Sequence, residues 1–214
     1  MKRVSLIVGW ALLAFLWVLV LPASDRNSFT VHMTVHMGVV AGVAPLIAIG
    51  LSGGRFDVTR HSRWFTPLLA SILELFAVWG WHLPAMRALS EGSAIFAVIE
   101  QIIFLAAGLL LWLSCLGGAA RGNDEKRLAG TVGLLFTSMH MTLLGALLTL
   151  SPRPLYGESD VSCFGIPLSA AGDQQVGGVV MLLVGAVVYL AGGIALLAGT
   201  LQAPVTEPGK GAGG

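Results

Sequence analysis

The stretch Thr30–Leu51, TVHMTVHMGVVAGVAPLIAIGL, carries no Asp, Glu, Lys or Arg. At about 1.5 Å per helical residue it reaches across the roughly 30 Å hydrocarbon core of a bilayer, so it reads as a membrane span. On a helix His32 and His36 fall about 40° apart, with Met33 and Met37 as a parallel stripe beside them. Imidazole and thioether are therefore expected on one side. Polar groups in lipid are costly unless they face the protein interior, which makes that side a candidate site.

The rest of the chain agrees with a membrane setting. Its 214 residues are 56% hydrophobic and 11% charged, with a mean hydropathy of +0.84, far too apolar for an ordinary soluble domain. The net charge is only +1 and the basic residues are scattered over loops, which argues against a nucleic-acid partner. Six windows have the length and polarity of transmembrane helices: Val4–Leu21, Thr30–Leu51, Phe65–Met86, Ala94–Gly117, Leu128–Leu150 and Gln174–Gly199. The expected fold is an all-α, polytopic membrane helix bundle over residues 1–203, followed by a disordered Gly/Pro-rich tail, 204–214. The first apolar run outlasts a signal-peptide core of about 7–15 residues and is expected to stay as a helix.

If the spans alternate, Lys2, Arg3, Arg55, Arg60, Arg63, Arg121, Lys126, Arg127 and Lys210 fall on one side of the membrane, and Arg26, Arg87 and Arg153 on the other. The positive-inside rule then places both termini in the cytoplasm of a multi-pass protein of the bacterial plasma membrane. Cys115 and Cys163 lie on opposite sides and cannot pair. Gly38 and Gly42 form a GxxxG face directed away from the histidines, able to meet another helix or a second copy in a homodimer. Gly178, Gly185 and Gly192 recur at heptad spacing. Pro45 should open the hydrogen-bond ladder of its helix. Ser151–Asp173 reads as an irregular outer cap, Asp173 as the N-cap of the sixth helix, and Trp79 and Trp81 as an interfacial belt.

Counting inward from the outer boundary puts His82 roughly 6 Å deep, His36 about 9 Å, Glu100 and Met181 about 10 Å, and His140 about 15 Å. Together with His32, four histidines from three helices collect in the outer leaflet, while His61 stays in a cytoplasmic loop. Imidazole with thioether suits Cu(I) and suits Mg or Ca poorly. The predicted metal site comprises His32, His36, His82 and His140, with Met33, Met37 or Met139 as soft ligands. Glu100 could orient an imidazole, relay protons or ligate. Each methionine also has an ordinary use as a core filler, and each histidine as an interhelical hydrogen-bonding group. Paired histidines could alternatively ligate haem in a membrane cytochrome. A metal transporter using Glu74, Glu100 and the histidines is a further alternative, although no internal repeat supports it. No nucleophile motif or phosphate loop points to an enzyme.

Several motifs occur in a telling order: HMTVHM with Ala44-Pro45, WGWHLP (Trp79–Pro84), Glu100-Gln101 in IEQIIFLAAGLLLW, Leu155-Tyr156 after SPRP, and DQQVGGVVM (Asp173–Met181). In this the chain resembles the CtaG family of bacterial cytochrome c oxidase assembly factors, associated with maturation of the caa-type oxidase. The resemblance runs from about His32 to Met181. It implies a non-enzymatic inner-membrane protein that works with cytochrome c oxidase subunits in the respiratory chain, at the stage of copper insertion. The family's histidine positions carry over onto His32, His36 and His82, its EQ motif onto Glu100, and its DQQ motif onto Asp173.

Overall fold

The computed structural model describes residues 1–23, 25–55, 57, 59, 65–119, 124–157 and 159–201. The chain runs through α1 (Lys2–Ala23), α2 (Phe29–Leu51), α3 (Pro67–Trp81), α4 (Pro84–Gly92), α5 (Ala94–Ala119), α6 (Asp124–Leu150), a hairpin of β1 (Val161–Cys163) and β2 (Ile166–Leu168), and α7 (Ala170–Leu201). Among the described residues five of these helices are each long and apolar enough to cross a membrane, and the bent pair α3 with α4 has the length and composition of a sixth, as a broken span or a re-entrant loop. The all-α membrane bundle expected from the sequence is what forms. Arg60, His61, Arg63, Arg121, Lys210 and the tail 204–214 lie outside the described residues.

The third span departs from expectation in a way that matters for the site. Instead of one helix over Phe65–Met86, the chain breaks at His82-Leu83, and α3 and α4 meet at 70°. Pro84 is the cause. Its ring disfavours the helical conformation of the preceding residue, and Leu83 adopts φ −65°, ψ 136°. The 15 residues of α3 extend about 22 Å, so the helix ends inside the bundle rather than at its rim. Below, the hairpin end means the end of the bundle carrying β1, β2 and the turns around Asp25 and Ser93.

Helix packing follows the small residues. A Cβ on Gly38 would come within 2.9 Å of Leu16 Cδ1, and one on Gly42 within 3.5 Å of Leu12 Cδ2, so α1 covers the GxxxG face of α2. That face is spent inside the chain. The α6–α7 seam is closer still: a Cβ on Gly178 would meet Thr149 N at 2.8 Å and the Gly145 carbonyl at 2.9 Å. Pro45 has the predicted effect, since α2 widens into a π turn over Gly38–Val43 just before it. In that turn Val40 O would look five residues ahead for a donor and finds the proline nitrogen, which has none. Trp112 Nε1 of α5 donates to it instead, at 3.0 Å.

Two further expectations are corrected. The outer loop is not wholly irregular: β1 and β2 pair antiparallel around Phe164 (φ 48°) and Gly165 (φ 85°), whose positive φ values form the tight turn. Trp81 is buried in the core rather than standing in a belt. Cys115 and Cys163 are both free, as expected.

Candidate metal centre

The broken third helix delivers His82. As the residue that caps α3, it turns its ring back so that Nδ1–H donates to the Val78 carbonyl at 2.6 Å, an oxygen that also accepts the His82 backbone N–H at 3.1 Å. A neutral ring protonated at Nδ1 leaves Nε2 with a free lone pair. That atom is buried and has no partner among the described residues.

His32 and His36, one turn apart on α2, face this point. Ring centroids lie 5.4 Å apart for His36 and His82, 5.7 Å for His32 and His82, and 6.2 Å for His32 and His36. With metal–nitrogen bonds of about 2 Å, imidazoles sharing one three-coordinate ion have centroids about 5.5 Å apart. The three rings thus stand at ligating separation. They are not yet turned onto one point: among the described residues no group of three or more His, Cys, Asp or Glu is arranged to hold a metal ion. Phe104 of α5 closes the cluster, with its centroid 4.0 Å from that of His36.

Local hydrogen bonds explain the present orientations. Arg87 Nη1 lies 2.9 Å from His32 Nδ1, and because a guanidinium only donates, Nδ1 must accept and a neutral His32 carries its proton on Nε2. That N–H faces Glu100 Oε1 across 3.7 Å. Glu100 Oε2 accepts from Ser90 Oγ at 2.7 Å, while Oε1 is unpartnered. Among the described residues His36 has no partner at either nitrogen. Such buried, unsatisfied nitrogens are rare in folded proteins and need an explanation.

The other predicted ligands go elsewhere. His140 is buried on α6, which packs chiefly on α3, α5 and α7, and its ring meets Phe136 rather than another imidazole. Met139 is 68% exposed on the outside of the bundle. Met33 and Met37 are buried but face α7, where a Cβ on Gly177 would lie 3.1 Å from Met33 Cγ and one on Gly185 would lie 3.7 Å from Met37 Cε. The 100° step between neighbouring helix positions is enough to part each Met from its His. The arrangement therefore offers three imidazoles and a carboxylate rather than a mixed His/Met set.

A supporting shell holds the imidazoles in place, and sequence reasoning missed most of it. Asp173 does not cap its own helix. It sits inside the first turn of α7 and caps α2, with Oδ1 accepting from Ser28 Oγ at 2.9 Å and Thr30 N at 3.1 Å, and Oδ2 accepting from Phe29 N. Tyr156 stacks on Phe29 at 4.4 Å and donates its hydroxyl to the His82 carbonyl at 2.7 Å. Burial pushes the Tyr156 hydroxyl pKa up, which keeps it a donor. Gln174 bonds Leu155 N and the Leu148 carbonyl, anchoring the outer loop. Arg87, expected in an outer loop, is buried, with Nε 2.9 Å from Glu91 Oε1 and Nη2 donating to the Arg26 carbonyl. Its one sequence signal was the i, i+4 spacing with Glu91.

A family model described as cytochrome c oxidase caa3 assembly factor matches residues 1–203. No curated protein matches the chain, and no solved structure does.

Proposed function

We propose a role that starts from one fact: the chain belongs to the cytochrome c oxidase caa3 assembly factor family. In our reading this member holds Cu(I) on the imidazole cluster at the hairpin end and releases it to a cytochrome c oxidase subunit during assembly. The observation that carries this reading is the set of buried ring nitrogens without partners, on rings 5.4–6.2 Å apart. His36 and His82 are the ready pair, each with a lone pair to offer. His32 joins them when its ring turns away from Arg87. Neutral imidazole favours Cu(I) over hard cations, and a donor set without thiolate suits a site that must give its metal up. The basic-residue asymmetry orients the hairpin end toward the outside of a bacterial plasma membrane, where the protein would meet its partner.

Haem fits the geometry less well. A macrocycle needs an open slot between two facing rings, and Phe104 fills the space against His36.

The test is Cu(I) stoichiometry under reducing conditions in purified protein. Wild type should bind one equivalent, the His36→Ala/His82→Ala variant none, and His140→Ala one. Copper bound equally by all three would dismiss this cluster.

A further inference from the structure

A cavity of about 320 Å³ opens beside the imidazole cluster at the hairpin end. Its walls come from the end of α1 (Trp17, Leu21), the α1–α2 turn (Asp25, Arg26), α4 (Arg87, Ser90) and the first turns of α5, and His32 is the one histidine that reaches it. The two ends differ. The mouth is charged, with Asp25 and Arg26. The floor contains Glu100 and Gln101, whose Oε1 atoms are both buried and without partners, alongside His32 Nε2 in the same condition. Trp17 Nε1 is also unpartnered. Arg87, the cation at this depth, is already engaged by Glu91, His32 and the Arg26 carbonyl. With His32 Nε2 and Trp17 Nε1 both donors, the unsatisfied acceptors of the floor are the Glu100 and Gln101 oxygens, and these are the groups there that can receive a cation.

We infer that this cavity is the passage by which the cargo cation reaches the imidazoles from the outer face, with Glu100 and Gln101 receiving it and His32 standing as the door. The inference rests on the copper reading above and adds the route. A soft cation moves by ligand exchange rather than as a bare ion, so the groups that deliver it must come beside those that accept it. At roughly 30 Å³ per water the cavity has room for about ten waters, enough for an ion with its delivering ligands and much more than a bare ion needs. On the far side of His32, Phe104, Phe29 and Tyr156 pack around His36 and His82. Entry from this cavity passes His32 first, and removal of the Arg87 hydrogen bond from Nδ1 is the step that lets its ring turn inward.

The experiment blocks the passage after the protein has folded. Ala97 lines the cavity, whereas Ala106 is exposed on the same helix away from it. Ala97→Cys and Ala106→Cys, each in a Cys163→Ser background, are purified and then modified with a bulky methanethiosulfonate reagent. Copper uptake from a Cu(I)–bicinchoninate donor is followed in time and then to equilibrium. The modified Ala97→Cys protein should load at least tenfold more slowly than its unmodified form, to the same final stoichiometry, with Ala106→Cys unaffected. An unchanged loading rate with normal stoichiometry overturns the passage and leaves the copper site standing. No copper in the unmodified protein overturns both.

Discussion

Two polar regions lie inside this bundle, and they are built on opposite plans. Near mid-bundle, Glu74 Oε1 accepts from Tyr189 Oη at 3.0 Å, Tyr189 stacks on Trp112, Trp112 bonds the Val40 carbonyl, and Ser71 bonds Thr137. Only Glu74 Oε2 is left over among these side chains. At the hairpin end the balance reverses: His32, His36 and His82 keep four unpartnered ring nitrogens between them, Glu100 and Gln101 keep an oxygen each, and a cavity adjoins them. Burying polar groups in a membrane demands compensation. In the deep region neighbouring side chains supply it for the Glu74–Tyr189 and Ser71–Thr137 groups, which is what a structural network looks like, while His140 nearby stands alone with both ring nitrogens unpartnered among the described residues. At the hairpin end it is withheld, which is what a site awaiting a ligand looks like.

The sharpest way to break that contrast is to empty each region. Replacing His36 and His82 by alanine should lower Cu(I) affinity by more than 100-fold, measured by competition with a chromogenic chelator. Thermal stability in detergent should also fall, because each truncation leaves a cavity beside Phe104 and Phe29, so affinity is scored on protein shown to be folded. Copper binding that survives this pair but is lost in Glu74→Gln would exchange the roles assigned to the two regions. A smaller effect, on both readouts at once, is expected from Asp173→Ala. It strips the first turn of α2 of an acceptor used by three donors, and because hydrogen bonds to charged groups are worth about 1.5–3 kcal/mol but do not add when they share one acceptor, stability should fall by about 2–4 kcal/mol. Because the same turn carries His32, copper affinity should fall with it. Tyr189→Phe tests the deep region alone. It removes one neutral hydroxyl, should cost about 1 kcal/mol, and should leave copper binding where it was.

How far the sequence disclosed each region follows from what helical spacing encodes. Depth along a span is countable, so His32, His36, His82 and Glu100 could be placed at one level before any coordinates. Azimuth between helices is not countable. His140 falls in the same leaflet by that count yet points to Phe136, and Met139 points out of the bundle. The break in the third span was written in Leu83-Pro84, where proline excludes helix from its predecessor, and it was masked by the hydrophobicity of the surrounding window. Asp173 illustrates a different blindness. Acid residues in first turns usually serve their own helix, and only the close approach of α7 to α2 reveals that this one serves another. Glu74 could be recognised as buried, but its partner Tyr189 is 115 residues away and no local pattern joins them.

The smallest expected effect probes the boundary between the two plans. Arg87 is the buried cation beside the imidazoles, and it spends a hydrogen bond on His32 Nδ1 that holds the ring in the tautomer unable to ligate through Nε2. Arg87→Met keeps the bulk of the stem and removes the donor. If the hydrogen bond restrains His32, the variant should retain Cu(I) a few-fold longer against a chelator, since a third imidazole becomes free to close on the ion, while its loading stoichiometry stays at wild type. Arg87→Lys restores a donor without the planar fork and should fall between the two. Copper release that is faster in Arg87→Met would mean that the guanidinium holds the site together rather than holding it open, and the hairpin end would then resemble the deep region more closely than its unpartnered nitrogens suggest.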